Sequence, residues 1–493
     1  MLTADSTQLY AAYKAKDSRF DGRFFIGISS TGIYCRPVCR ARQPKIENCT
    51  FYPTAAEAEC SGYRPCLLCR PELAPGLSIT DATAVLARRA GRMLEENCGS
   101  GQSLDELAGR LGYTDRHLRR VFAAEYNVTP VQYLQTCRLL LAKNLLTDSN
   151  LSILDVAMAA GFGSLRRFNA LFKQHYQLSP TALRKNISSE KEQRGGITLA
   201  LGYRPPYRWG EMLNFLAERA IPGVELVANN EYMRTVHLLN ADKKPVYGWV
   251  RVRHRPEKNV LTVMINESLL SVIPQVMAKV RRLFDLNCDP ETIYESLASM
   301  NNIRPGLCVL GTRLPDSFNA FEMSVRAILG QQITVKAAST LTGRFANVFG
   351  KPIQTKIDGL THVFPSHEDI LAIDEPIENH ISPLGIIATR ARTIYEMAKA
   401  IEQGKIDFDL YIQPETEIEK LMAIPGIGSW TAKYIAMRTM EWTDAFLETD
   451  VGVKKALEPC PPKEIKQLSE AWRPWRSYAT INLWNSLKIS EEE

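Results

Sequence analysis

The sequence predicts a multidomain chain, mainly α with small α+β parts, and three observations carry that reading. At 493 residues the chain is too long for one ordinary core and should divide into three or four, at roughly 100 to 200 residues each. Its apolar spacing changes along the chain, from 3.6 residues to two and back again. Six of its eleven cysteines crowd between Cys35 and Cys69, at spacings that suit a metal better than disulfides. Apolar residues at 45% and charged residues at 23% are ordinary globular usage, which excludes a disordered chain. No apolar run approaches the about 20 residues that span a bilayer. Met1 to Tyr10 has neither a basic n-region nor an apolar h-region, so the chain is expected in the cytosol.

The net charge of +6 is unevenly placed: the whole basic excess lies in the first 190 residues, and the rest is close to neutral. Such asymmetry suits a surface that grips a polyanion, which makes nucleic acid the first candidate partner. On charge alone, a basic surface that merely keeps the chain in solution fits as well.

Residues 1–76 form the first block, rich in Cys, Arg and aromatics and ending at Pro75-Gly76. Cys35-x3-Cys39 and Cys66-x2-Cys69 are two short-spaced pairs, and two such pairs can close a tetrahedral four-sulfur zinc site with sulfurs at about 2.3 Å. A small block with little core needs a staple of this kind, so a purely structural zinc is the plainer reading. Residues 79–185 follow with helical spacing and contain an internal repeat. Leu111 to Phe122, closing at Thr129-Pro130, recurs as Ala160 to Phe172, closing at Ser179-Pro180. Each copy reads as a helix, a glycine turn at Gly112 or Gly161, and a second helix with basic residues, which is helix-turn-helix geometry. The groove-side candidates are Arg116, His117, Arg119 and Arg120 in the first copy and Ser164, Arg166, Arg167 and Asn169 in the second. A single copy could be a packing unit; two copies weigh against that.

Residues 186–196 are polar and end in Gly-Gly, a linker by composition. Residues 197–285 then predict a small antiparallel sheet with helix, from period-two stretches such as Thr235–Leu239, Tyr247–Val252 and Val260–Ile265. Residues 286–493 return to helical spacing and predict an all-helical core. Within it, Pro425-Gly426-Ile427-Gly428 joins two helices, and its glycines let backbone amides approach a phosphate at the second helix's N-terminus.

Three resemblances add function to this outline. Thr31-Gly-Ile-Tyr-Cys35-Arg-Pro-Val-Cys39-Arg-Ala-Arg42, with Phe51-Tyr52 and Gly62-Tyr-Arg-Pro-Cys66-Leu-Leu-Cys69, resembles the N-terminal domain of the Ada family of adaptive-response proteins. The likeness implies one Zn²⁺ on Cys35, Cys39, Cys66 and Cys69, with Cys35 accepting a methyl group from a methyl phosphotriester in DNA. Zinc would keep the thiolate deprotonated without a separate base. Four thiolates leave the ion with two net negative charges; methylation leaves one, so Arg36, Arg40, Arg42 and Arg64 would then hold the backbone more tightly. A thioether has no obvious way back, so transfer would be stoichiometric. Cys49 and Cys60 do not fit the motif and read as buried or incidental.

The repeat block resembles the AraC-type tandem helix-turn-helix activators, which implies promoter DNA and RNA polymerase as partners. Residues from about 197 to 488 resemble the DNA-3-methyladenine glycosylase II family of the helix-hairpin-helix superfamily. The matching residues are Arg204-Pro-Pro-Tyr207, Arg304-Pro-Gly306, Phe321 to Gln331, the hairpin, and Trp472-Arg-Pro-Trp475-Arg-Ser-Tyr-Ala479 with Trp484. The likeness implies excision of N-alkylated purines, with Asp450 as the catalytic carboxylate, DNA contacts at Gly426 and Gly428, and a monovalent cation at the hairpin backbone. Electron-rich Trp430, Tyr434 and Trp484 could stack on a cationic base, worth about 1 to 2 kcal/mol each when desolvated. Asp450 would face the positive charge that develops on the sugar. The plainer alternatives are an N-cap for Asp450 and core positions for the aromatics.

Strand-cutting relatives carry a Schiff-base lysine just after the hairpin turn; here Trp430 stands there, and Lys433 is three residues on, so a monofunctional hydrolase without lyase activity is expected. Gln332 stands where an apolar wedge is expected, with Gln331 and Ile333 as neighbours. Pro459-Cys460 is followed by Pro461-Pro462, not by the His-Arg of an alkylguanine transferase centre, so O6-alkylguanine repair is not expected. The whole reads as an alkylation sensor, an activator and an alkylbase glycosylase in one monomeric, nucleoid-associated chain. The rival is a transcription factor with a structural zinc and an inactive glycosylase-like half.

Overall fold

The computed structural model describes residues 6–492 except 17–19, 22–23, 53–57, 59–60, 67, 70, 72–78, 100–102, 186–196, 241, 374–375 and 409–413. The linker expected at 186–196, and Cys60, lie outside the described residues.

In the first block, strands Phe25–Ile28 and Ile33–Cys35 pair antiparallel around a turn that closes at Gly32, whose φ of +63° suits a residue without a Cβ. Cys49–Tyr52 flanks one side antiparallel, and Arg64–Pro65 runs parallel on the other, giving the order 49–52, 25–28, 33–35, 64–65. That parallel pairing brings the two cysteine pairs together. It sets Cys66 directly after an edge strand whose neighbour ends at Cys35, and the Cys66 amide donates to the Tyr34 carbonyl at 3.0 Å.

The repeat is built as its sequence suggests. Helices Leu104–Arg110 and Asp115–Tyr126 form one unit, Ile153–Ala159 and Leu165–Tyr176 the other, and helix Pro130–Asp148 joins them. Gly112 and Gly161 sit at φ of +77° and +80°, the conformation that ends one helix and redirects the chain into the next. Thr114 and Ser164 cap the second helices: the Thr114 side chain accepts from the His117 amide, and the Ser164 side chain accepts from the Arg167 amide.

Beyond the linker, a five-stranded antiparallel sheet runs in the order Ile197–Gly202, Val260–Ile265, Pro245–Arg255, Glu231–Leu239, Glu225–Ala228. Helix Trp209–Arg219 packs on it, and the rest of the chain is a helical body. One difference from expectation is a two-residue ladder, Lys351–Pro352 with His362–Val363, inside that body. Two residues a side is too short to show a period of two.

The blocks are not beads on a string. A continuous apolar core runs from Tyr13 and Phe20 in the first block through Phe168 and Phe172 of the second helix-turn-helix unit to Trp472 and Trp475 in the helical body. Phe20 meets Trp475 edge-on with centroids 4.9 Å apart, both rings buried. Helix Ile79–Glu96 docks through polar pairs: Arg89 to Asp407 at 2.9 Å and Glu96 to Arg282 at 3.4 Å. The first helix-turn-helix unit keeps a core of its own, around Leu118 and Phe122, and smaller separate clusters lie around Phe25 and Tyr34 in the first block and around Trp249 and Leu360 beside the five-stranded sheet.

Candidate active site and candidate zinc centre

The four motif cysteines converge: Cys35, Cys39 and Cys66 are buried, Cys69 is half-buried, and all four sulfurs lie within 4.8 Å of one another. A closed, all-sulfur, buried set is the chemistry of a tetrahedral zinc site. Buried thiols this close compete for protons. Hydrogen bonding from Cys35 drives the Cys39 thiol far down, and the same bond pushes Cys35 up. Cys49 stands apart, half-buried, its thiol toward the Lys45 carbonyl, and burial raises it to about 11.

The arginines divide. Arg40, Arg42 and Arg64 are exposed around the cluster, as a phosphate-gripping surface requires. Arg36 is a correction to the sequence reading: it is 7% exposed and forms a forked ion pair with buried Asp21, Nε to Oδ1 at 2.8 Å. Its amide donates to Cys69 Sγ at 3.3 Å and its Nη1 to the Cys69 carbonyl at 3.2 Å. It braces the sulfur cluster from inside and is not free to meet DNA. Nothing local in sequence pairs Arg36 with an aspartate fifteen positions earlier.

On the second helix of each repeat unit, Arg116, Arg119, Arg120, Arg166, Arg167 and Asn169 are exposed. Arg119 is held by Asp115 at 2.8 Å, and Arg120 by His117 at 3.1 Å, while His117 stacks on Tyr113. Ser164 spends its hydroxyl on the helix cap.

In the helical body, Pro414–Met422 and Ser429–Thr439 enclose the hairpin. Gly426 has φ +92°, and a Cβ there would stand 2.2 Å from Thr393 Oγ1. Gly428 faces open space, and the helix it starts has no side-chain cap, so its first amides are free for an anion. Gln331 Nε2 donates to the Gly426 carbonyl at 2.9 Å and to Thr431 Oγ1 at 3.1 Å, locking the neighbouring turn to the hairpin. Gln332 is the exposed tip of that turn, at φ +56°, and Ile333 is half-buried behind it.

Asp450 fills the N-cap that the sequence allowed and also engages two of the aromatics expected beside it. It caps helix Val451–Ala456, Oδ1 accepting from the Val453 amide at 3.0 Å. It also accepts from two indoles: Trp484 Nε1 to Oδ1 at 2.9 Å and Trp430 Nε1 to Oδ2 at 3.2 Å. Trp430 stacks on Tyr434 with centroids 5.1 Å apart, and Trp484 meets Tyr434 edge-on at 6.2 Å. The three candidate aromatics thus line one wall with the carboxylate at its edge. Lys433 is engaged elsewhere, with Glu448 at 2.8 and 2.9 Å.

Sequence reasoning missed the back of this wall. Phe215, on helix Trp209–Arg219, stacks on Trp484 at 6.3 Å and lies between two guanidiniums, Arg219 at 3.9 Å and Arg438 at 4.8 Å from its centroid. Arg438 also donates to the Tyr434 hydroxyl at 3.0 Å. Burial alone would raise the Tyr434 phenol, but Arg438, Arg219 and Arg326 outweigh it and hold Tyr434 below the usual tyrosine range. Phe215 lies more than two hundred residues from Trp430 on an ordinary amphipathic helix, so no local pattern marks it.

Fold and site together define a class: a four-cysteine centre and a tandem helix-turn-helix module built onto a helix-hairpin-helix base-excision core. The sequence matches families described as the metal binding domain of Ada over residues 8–72, a helix-turn-helix domain over 107–186, the AlkA N-terminal domain over 198–319, and the HhH-GPD superfamily of base excision DNA repair proteins over 325–473. A probable bifunctional transcriptional activator/DNA repair enzyme AlkA of Mycobacterium tuberculosis is 34% identical over 98% of this chain and 97% of its own. The chain belongs to this family of fused activator and AlkA-type repair proteins. The DNA-3-methyladenine glycosylase 2 of Escherichia coli is 34% identical over 58% of this chain and 95% of its own. The bifunctional activator/repair enzyme AdaA of Bacillus subtilis is 29% identical over 36% of this chain and 82% of its own.

Proposed function

We propose that the chain excises N-alkylated purines from duplex DNA with Asp450 as the catalytic carboxylate, and that Cys35 takes a methyl group from a DNA methyl phosphotriester. The observation that carries the first half is the double indole grip on Asp450 at the edge of the Trp430, Tyr434 and Trp484 wall. A purine methylated on a ring nitrogen is cationic, so it leaves with the glycosidic electron pair without prior protonation. The aromatic wall stacks on the flipped base, and Asp450 stabilises the oxocarbenium sugar. Water then adds to C1′, its proton passing to Asp450 or solvent. Lys433 is paired to Glu448 and Trp430 stands beside the carboxylate where a Schiff-base lysine would be, so strand cutting is not expected. Borohydride trapping of a covalent adduct with DNA would overturn that. Gln332, at the exposed tip beside the hairpin, takes the place of the vacated base, and the uncapped first amides of the helix after Gly428 hold a backbone phosphate. A monovalent cation would sit at the hairpin carbonyls and neutralise the same phosphate, which potassium-dependent DNA affinity tests.

In the first block the Cys35 thiolate attacks the methyl carbon, the carbon–oxygen bond breaks, and the phosphodiester leaves carrying the negative charge. Zinc bound by Cys35, Cys39, Cys66 and Cys69 supplies the means of keeping those sulfurs ionised at neutral pH. The thioether lowers the cluster's negative charge, so Arg40, Arg42 and Arg64 grip the backbone more tightly. Arg116, Arg119, Arg166 and Arg167 then read a promoter, and the activator recruits RNA polymerase. The working division is 1–76 as sensor, 79–185 as activator and 197–493 as glycosylase. Comparing Asp450→Asn with wild type in release of N-methylpurines tests the excision half; full activity in the variant would favour an inactive glycosylase-like fold in a transcription factor.

A further inference from the structure

Gly452 is the second residue of helix Val451–Ala456, and its φ is not in the left-handed region, so the backbone does not call for glycine. In a helix interior glycine costs about 1 kcal/mol relative to alanine. What the position demands is closeness. A Cβ at Gly452 would stand 2.9 Å from Trp484 Cδ1, 3.1 Å from Trp484 Nε1 and 3.1 Å from Asp450 Oδ1. These are the two groups joined by the 2.9 Å indole to carboxylate bond. Trp484 has little room to retreat. Phe215 stacks on it, Tyr434 meets its ring edge-on, and its helix, Arg476–Glu492, packs against the Val451–Ala456 helix.

We propose that Gly452 is a positioning residue for base excision: its missing side chain lets the Trp484 indole close on Asp450 and fix the carboxylate's rotation. Val453 and Trp484 then hold Oδ1 while Trp430 holds Oδ2, so the carboxylate meets the sugar in one orientation. A methyl group at 452 pushes the indole off Oδ1 and tilts the plane on which the flipped base stacks. The inference rests on the reading of Asp450 as catalytic.

The test is Gly452→Ala in the full zinc-loaded chain, followed by single-turnover release of N-methylpurines from methylated duplex DNA, with half-saturation and Tm measured alongside. A displacement of this kind should slow the chemical step by about 10²-fold, with half-saturation little changed. Helix propensity alone pulls Tm up, so a merely structural glycine would leave the rate unchanged. Trp484→Ala removes the ring atoms that the new methyl meets. In that background Gly452→Ala should add little further loss, because both changes act through the same contact. A wild-type rate for Gly452→Ala, or a double variant whose loss is the product of the two single losses, overturns the proposal. Should the single variant not fold, the pair in the alanine background still decides: a rate equal to that of Trp484→Ala alone supports the proposal, and a further loss overturns it. Asp450→Asn is measured beside them. If it keeps full activity, the reading of Asp450 fails; if it is inactive while Gly452→Ala is not, the Gly452 inference alone fails.

Discussion

At Asp450 the cap and the chemistry are separable, because asparagine caps a helix about as well as aspartate and carries no charge. Asp450→Asn keeps the cap but turns an N–H donor toward one of the indole donors, so its melting temperature should fall modestly while base release falls by about 10²-fold or more, the scale of loss when a group aimed at transition-state charge is removed. Base release followed by chromatography, with Tm on the same sample, checks both halves. Tyr434 offers a second residue-scale readout. Its pKa is held below the usual value chiefly because three arginines outweigh the cost of burial. A folded pKa below the unfolded one means the unfolded chain binds the extra proton. Tyr434 thus adds stability as pH rises from its depressed pKa toward 10, and that contribution is lost as pH falls through the depressed value. Ultraviolet titration should find one tyrosinate forming ahead of the rest, absent in Tyr434→Phe; identical titrations would contradict the arginine effect.

At the scale of elements, what was legible in sequence is what local chemistry dictates. The two helix-turn-helix units were visible because a glycine turn followed by basic residues recurs, and Gly112 and Gly161 do take positive φ; Ser164, read as a groove residue, caps its helix instead. The five-stranded sheet was visible in alternation, and the sulfur cluster in the spacing of its cysteines. The misses are tertiary. Arg36 looked like one more surface arginine, yet its guanidinium is buried on Asp21; Phe215 reaches the aromatic wall from a distant helix. The Arg36 correction makes a prediction for the first block. Asp21→Ala leaves a buried arginine unpaired, which costs about 3 to 5 kcal/mol. The cluster braced by Arg36 should then lose metal readily, measured as zinc release to a chromogenic chelator, while an exposed change such as Arg42→Ala should not accelerate that release.

Over the whole molecule, the continuous core ties the sensor and the second helix-turn-helix unit to the glycosylase body. The Phe20 ring against Trp475 is one of these ties, and deleting it should cost about 3 to 5 kcal/mol. Phe20→Ala should split the first block's unfolding from that of the helical body in calorimetry; an unchanged profile would mean the two fold independently. The proposed function gives one chain two ways of meeting methylated DNA, a nucleophile that is consumed and an aromatic site that turns over. The most direct measurement gives the zinc-loaded chain duplex DNA bearing radioactive methyl groups on both phosphates and purines, and follows the label. Label on the Cys35 peptide, at no more than one methyl per chain, together with free methylpurine released repeatedly and lost in Asp450→Asn, is the expected result. No label on Cys35, or methylpurine release that survives Asp450→Asn, would contradict the dual assignment.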